Sequence, residues 1–147
     1  MKKNIILFIF LTLGVVAFSQ SSKIYLVQTY KIYAVDGDDF VYLGKLASPY
    51  DAESIFNSYC QYGNEYNFKS IWNEYGKYGN EFNSQSPWNE FSSTPPILVN
   101  NNNEIVGYFT SNELKCVREL IPMMRYIKKH YAKCATKPEE VYKLFFY

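Results

Sequence analysis

The chain has 147 residues, 48% hydrophobic and 19% aromatic, and its 15 Lys and Arg against 14 Asp and Glu leave a net charge of +1. A balance so close to zero, with no basic stripe, offers no grip on phosphates and argues against nucleic acid as a partner. The length suits one small domain.

Lys2 and Lys3 precede an uncharged run from Ile5 to Phe18, and Ala17-Phe18-Ser19 places small residues at −3 and −1 before Gln20. This is the pattern of a signal peptide over residues 1–19. The run is short for a bilayer span of about 20 residues, and no later stretch is long and apolar enough to cross a membrane. The expectation is a soluble mature chain, residues 20–147, secreted or periplasmic. Cleavage removes two basic residues, leaving 13 basic against 14 acidic, a net of −1.

Residues 23–46 read as strands and a hairpin. Lys23 to Tyr30 alternates apolar residues, and Ile32 to Leu46 places Asp-Gly between two apolar runs, which is hairpin-turn chemistry. Asp36, Asp38 and Asp39 begin like a calcium loop. The remaining ligand positions are missing, above all the closing Glu, so the reading is a solvated turn and no metal site.

Residues 48–95 fall into three segments of 16: SPYDAESIFNSYCQYG, NEYNFKSIWNEYGKYG and NEFNSQSPWNEFSSTP. Five positions are held across the copies. Rings recur at Tyr50, Tyr66 and Phe82, at Phe56, Trp72 and Trp88, and at Tyr59, Tyr75 and Phe91. Ser recurs at Ser54, Ser70 and Ser86, and Asn at Asn57, Asn73 and Asn89. Ser is a good helix N-cap, and Pro87 after Ser86 suits a first helical position, so each copy is expected to open a short helical turn. Gly63, Gly76 and Gly79 would end it with positive φ. Turns this short need packing on the next copy, which makes a stacked core. The repeated Asn would satisfy backbone groups in irregular stretches. Large rings at fixed repeat positions favour the core. If they instead line a face, Tyr66, Trp72, Tyr75 and Trp88 are the candidate ligand-binding residues.

A second hairpin follows over 97–110, with the Asn run as its turn. Residues 111–147 turn helical: Leu114, Val117, Leu120, Ile121, Met124, Ile127 and Tyr131 recur at steps of three and four. Pro122 either kinks this helix or opens another, and Thr136-Lys137-Pro138-Glu139 resembles a capping box. Three cysteines leave at least one unpaired. Cys116 and Cys134 would lie about 27 Å apart on one straight helix, so they form a disulfide only if the chain folds back between them. Cys60 stands where the other copies have Gly76 and Ser92, and reads as a packed thiol. The one histidine, His130, reads as a surface residue near a helix C-terminus.

The stretch YLGKL-x-SPYDAESIFNSYCQYGNEYN-x-x-SIWNEYGKYGNEFN-x-x-SPWNEF-x-STPP, followed by ILV and VGYFT, resembles an uncharacterised family of small exported bacterial proteins. Those have Tyr-, Ser- and Asn-rich repeats of about this length, bracketed by β-hairpins. The resemblance covers Tyr42 to Ser111 and implies export and architecture, without chemistry.

The expected fold is α+β: antiparallel hairpins flanking three irregular aromatic repeats with short helical turns, plus a C-terminal helical segment. The expected function is a non-catalytic binding or interaction module of the cell envelope, with a glycan or protein partner and no cofactor. The alternatives are a purely structural repeat domain and, further off, a hydrolytic enzyme drawing paired carboxylates from Glu65, Glu74, Glu81 and Glu90. No Gly-rich phosphate loop, metal-ligand cluster or nucleophile elbow stands in the sequence.

Overall fold

The computed structural model describes residues 23–24 and 28–147. The expected signal peptide, residues 1–19, lies outside the described residues, as do residues 25–27 of the first expected strand. The elements in chain order are β1 (Tyr30–Asp36), β2 (Asp39–Leu46), β3 (Ile97–Val99), β4 (Ile105–Tyr108), a 3-10 turn (Arg118–Leu120), α1 (Ile121–Lys129), α2 (Tyr131–Thr136) and α3 (Pro138–Phe146). This is a mixed α+β architecture.

The four strands form one antiparallel sheet in the order β2-β1-β3-β4. Gly37, with φ of 64°, opens the two-residue turn between β1 and β2, as a type II′ turn requires. Ile32 and Ala34 of β1 face the core with Leu43 and Leu46 of β2 and Leu98 of β3. The β1–β2 register shifts between Lys31 and Tyr33. Gly44 sits opposite with φ of 99°, and a Cβ there would meet the Glu53 carbonyl at 2.8 Å and the Tyr62 Cβ at 2.7 Å. No other residue fits that bulge. Each edge of the sheet is bridged at one point. Lys45 of β2 exchanges backbone bonds with the chain at Glu53 and Ile55 (3.0 and 3.1 Å), and Val117 N–H donates to Tyr108 of β4 at 3.3 Å.

The connection from β2 to β3, residues 48–95, is built from turns three residues long. Each is closed by an N–H donating to the carbonyl three residues back: Ser54 to Asp51, Asn57 to Ser54, Cys60 to Asn57. A fourth residue enters only in the last group of a copy, where Asn64 N–H reaches Cys60 in the first copy and Asn80 N–H reaches Gly76 in the second. The period is therefore four threes and a four: SPY-DAE-SIF-NSY-CQYG, NEY-NFK-SIW-NEY-GKYG, NEF-NSQ-SPW-NEF-SSTP. The first residue of each group is Ser, Asn or Asp, with Cys60 and Gly76 as exceptions. Except at Asn83, its side-chain oxygen accepts the N–H two residues on. Ser54, Ser70 and Ser86 hold Phe56, Trp72 and Trp88 in this way (3.0–3.2 Å), and Asn57, Asn73 and Asn89 hold Tyr59, Tyr75 and Phe91 (3.0–3.1 Å).

The expected short helical turns are thus not helices. A Ser at an N-cap and a Ser opening a side-chain-closed turn accept the same kind of N–H, but here the next polar residue restarts the turn before a helix can grow. Gly63 and Gly79 are not at positive φ either. They are small because a Cβ would run into the backbone of Asn57 and Asn73.

The copies are tied to each other by indole N–H groups. Trp72 Nε1 donates to the Ile55 carbonyl at 2.6 Å, and Trp88 Nε1 to that of Ile71 at 2.5 Å. The equivalent carbonyl in the third copy, Pro87, accepts Ser111 N–H at 2.7 Å. Asn112 Nδ2 donates to the Glu90 carbonyl at 2.8 Å, as Asn80 Nδ2 does to Glu74 at 3.0 Å. Ser111 and Asn112 therefore close the stack where a fourth copy would begin.

This use of residues 111–117 corrects the expected start of the helical segment. Leu114, assigned to the apolar face, is 98% exposed in a turn opened by Asn112. The buried face starts at Leu120 and continues through Met124 and Ile127. Pro122 lies in the first turn of α1 and opens it rather than kinking it. The capping box is not formed: Thr136 ends α2, its hydroxyl donating to Ala132 at 2.9 Å, and Lys137 stands at the N-cap of α3 without a side-chain bond. Cys116 and Cys134 are free thiols, not a disulfide. Cys116 lies in the strip bridging β4, whereas Cys134 is buried in α2 within the core cluster. α1–α3 close the core over the repeats, with Phe56 against Tyr142 and Phe146 (5.5 and 5.6 Å between centroids), and Trp72 and Trp88 against Tyr131 (6.4 and 5.7 Å).

Candidate functional site

The ring rows divide sharply between inside and outside. The third group of each copy points inward: Phe56, Trp72 and Trp88 are 0%, 1% and 7% exposed, and the two indoles pack at 5.5 Å. The first and fourth groups point outward: Tyr50, Tyr66 and Phe82, with Tyr59, Tyr75 and Phe91, are 83–98% exposed. Of the candidate ligand-binding residues, Tyr66 and Tyr75 therefore stand on the surface. Trp72 and Trp88 are core residues, because their N–H groups must reach the preceding copy to satisfy its carbonyls.

Sequence reasoning omitted Tyr50, Tyr59, Phe82 and Phe91 from the site, although the 16-residue register places them beside Tyr66 and Tyr75. It weighed the repeated acids only as paired carboxylates, although each of Tyr66, Tyr75, Phe82 and Phe91 directly follows one. Glu65, Glu74, Glu81 and Glu90 are the middle residues of the NEY and NEF groups. Lys128 of α1 pairs with Glu90, and Thr136 Oγ1 lies 3.4 Å from Glu65. Among the described residues neither Glu74 nor Glu81 takes part in an ion pair. Glu74, by accepting the Tyr75 hydroxyl, raises that phenol's pKa.

Two recesses interrupt this surface. One, of about 770 Å3, runs between Tyr50, Tyr59, Tyr142 and Tyr147 over Phe56. The other, of about 340 Å3, lies between Tyr75 and Phe82, with Trp88 and Tyr131 in its wall. Burial first, and then the carboxylates of Glu74, Glu65 and Glu81, push the Tyr131 phenol well above its usual range.

The other reactive groups are tied into structure. Asp36, in the β1–β2 turn, accepts Lys77 at 2.5 Å and Gln85 at 3.4 Å. Among the described residues no group of three His, Cys, Asp or Glu side chains is placed to hold a metal ion. His130, between α1 and α2, is exposed and packs on Tyr126 at 4.7 Å. Burial pushes the Cys116 and Cys134 thiols up to about 11, so both are protonated and poor nucleophiles at neutral pH. Among the described residues no helix is long and apolar enough to cross a membrane.

Compared with known proteins, the chain matches no protein-family model, no curated protein and no solved structure.

Proposed function

We propose that this chain is an exported, non-catalytic binding module of the cell envelope, whose repeats present their outer rings to a glycan. The observation that supports this most is the exposure of six rings at equivalent positions, Tyr50, Tyr59, Tyr66, Tyr75, Phe82 and Phe91. The buried Phe56, Trp72 and Trp88 already supply the core, so stability alone gives no reason for six further rings in water. Contiguous exposed apolar surface on a small protein marks an interaction site, and aromatic faces suit the C–H faces of sugar rings. The N-terminal pattern supports export. The raised thiols and exposed His130 give no activated nucleophile, which favours binding over hydrolysis.

The test is retention of the mature chain on peptidoglycan and envelope polysaccharides, beside a Tyr66→Ala/Tyr75→Ala variant. Both side chains are exposed, so the variant should fold. Saturable binding by the parent that weakens about tenfold or more in the variant supports the reading, the loss of two stacked rings being worth about 1–3 kcal/mol. No binding to any polymer, or equal binding by both proteins, contradicts it.

A further inference from the structure

The smaller recess has a particular chemistry. It forms where the second copy meets the third, walled by Glu74, Tyr75, Glu81, Phe82, Trp88 and Tyr131. The side-chain donors around it are already engaged. Trp88 Nε1 is held by Ile71, and the Tyr131 hydroxyl lies 3.3 and 3.4 Å from the Ile71 and Gly79 carbonyls. Asn80 Nδ2 donates to Glu74's carbonyl at 3.0 Å, and Ser111 Oγ to that of Trp88 at 3.0 Å. The Lys128 ammonium is paired with Glu90.

What the outer wall offers a guest is chiefly negative charge and ring face. Glu74 and Glu81 bring carboxylates in no ion pair among the described residues, and the aromatic faces carry the negative side of their quadrupoles. An anion would be repelled by the two carboxylates. A cation meets both attractive terms, carboxylate charge and ring face. The potential reaches the inner wall, because the same carboxylates contribute to the raised Tyr131 phenol.

We propose that the recess between Tyr75 and Phe82 binds an organic ammonium group, with Glu74 and Glu81 as counter-charges and the rings of Tyr75, Phe82 and Trp88 as walls. The volume of about 340 Å3 suits a compact cationic head rather than a whole polymer chain. This rests on the binding-module reading, since it names the chemistry of one subsite on the same ring-bearing face. The ammonium group can be quaternary, or the primary amine of an amino sugar or a side chain.

The experiment titrates the mature chain, at fixed ionic strength, with tetramethylammonium chloride, n-butylammonium chloride and 1-butanol, the neutral isostere of the second. Ligand proton shifts and tryptophan emission are read together. The expected result is saturable binding of at least one ammonium ion, with its protons moving upfield from the ring faces, and no saturation by 1-butanol. Tighter binding of tetramethylammonium identifies the quaternary source, and tighter binding of n-butylammonium the primary one. A Glu74→Gln/Glu81→Gln variant, both sites being exposed, should fold normally by circular dichroism and lose about tenfold in affinity, in keeping with a cation–π site stripped of its counter-charges. Equal binding of 1-butanol, absence of binding by both ammonium ions, or unchanged affinity in the variant overturns the proposal. Polymer retention by the same protein is scored separately. If retention persists while ammonium binding fails, only the subsite falls; if ammonium binds while retention fails, it is the glycan reading that falls.

Discussion

The indole N–H of Trp88 donates to the carbonyl of Ile71, 17 residues upstream, at 2.5 Å, and Trp72 makes the same bond to Ile55 at 2.6 Å. One ring thus does two jobs in the second and third copies. It fills the core, and it satisfies a backbone group of the copy before it, which no strand ladder reaches. The arrangement lets side chains rather than a continuous sheet hold the coils in register.

Removing the N–H while keeping a ring separates those jobs. Trp72→Phe should destabilise by about 1–3 kcal/mol, because the Ile55 carbonyl is left buried and unpaired. Trp88→Phe should cost less, since Tyr131 Oη lies 3.3 Å from the Ile71 carbonyl and can still serve it. Urea midpoints of the two variants give the order directly, and the reverse order would show that the indole bonds do not set it.

The repeated Asn makes a second, graded test. Asn73 Oδ1 accepts from Tyr75 N–H at 3.1 Å, and its Nδ2 donates to the Asn67 carbonyl at 3.3 Å. Asn73→Ala loses both bonds and should cost about 1–3 kcal/mol. Asn73→Ser keeps a hydroxyl at the turn opening, as at Ser70, and should cost visibly less. Equal midpoints for the two variants would mean that the side-chain-closed turn contributes nothing measurable.

Alkaline pH should unfold the protein sooner than composition alone suggests. The Cys116 and Cys134 thiols are raised by burial from 9.0 to about 11. In the unfolded chain they lose their protons first, so above about pH 9 the unfolded state binds fewer protons than the folded one. Stability therefore falls as pH rises from about 9, and this contribution levels off above about 11. Below pH 9 both states keep the proton and the thiols contribute no slope. Denaturation midpoints between pH 8 and 11 measure the effect, and Cys134→Ala should flatten the decline. A midpoint that holds constant to pH 11 would contradict it.

The mixed α+β class is legible in the sequence, with Asp-Gly marking the β1–β2 turn. The three-residue step inside the period is legible too, in the Ser, Asn or Asp that opens nearly every group. It is obscured because an N-capping Ser and a turn-opening Ser accept a backbone N–H in much the same way. The sorting of rings is harder. Phe56 and Tyr59 are both aromatic, both fixed in the period and three residues apart, so spacing alone does not say which turns inward. Leu114 misleads for a related reason, since its place in a helical spacing hides the Asn112 turn that exposes it. Tyr131 and Lys128 reach the recess from a helical segment some forty residues beyond the repeats, and no local pattern joins them to Glu74 or Phe82.

The inside–outside division of the rings, and its use in binding, can be read in one measurement: tyrosine-directed covalent labelling of the mature chain, mapped by mass spectrometry, with and without the retained polysaccharide. Tyr50, Tyr59, Tyr66 and Tyr75, all exposed, should label rapidly; Tyr42, whose hydroxyl is buried, Tyr78, 8% exposed, and the half-buried Tyr131 should label slowly; and polymer should protect Tyr66 and Tyr75. Rapid labelling of Tyr78 and Tyr131, or a pattern that polymer leaves unchanged, would contradict it.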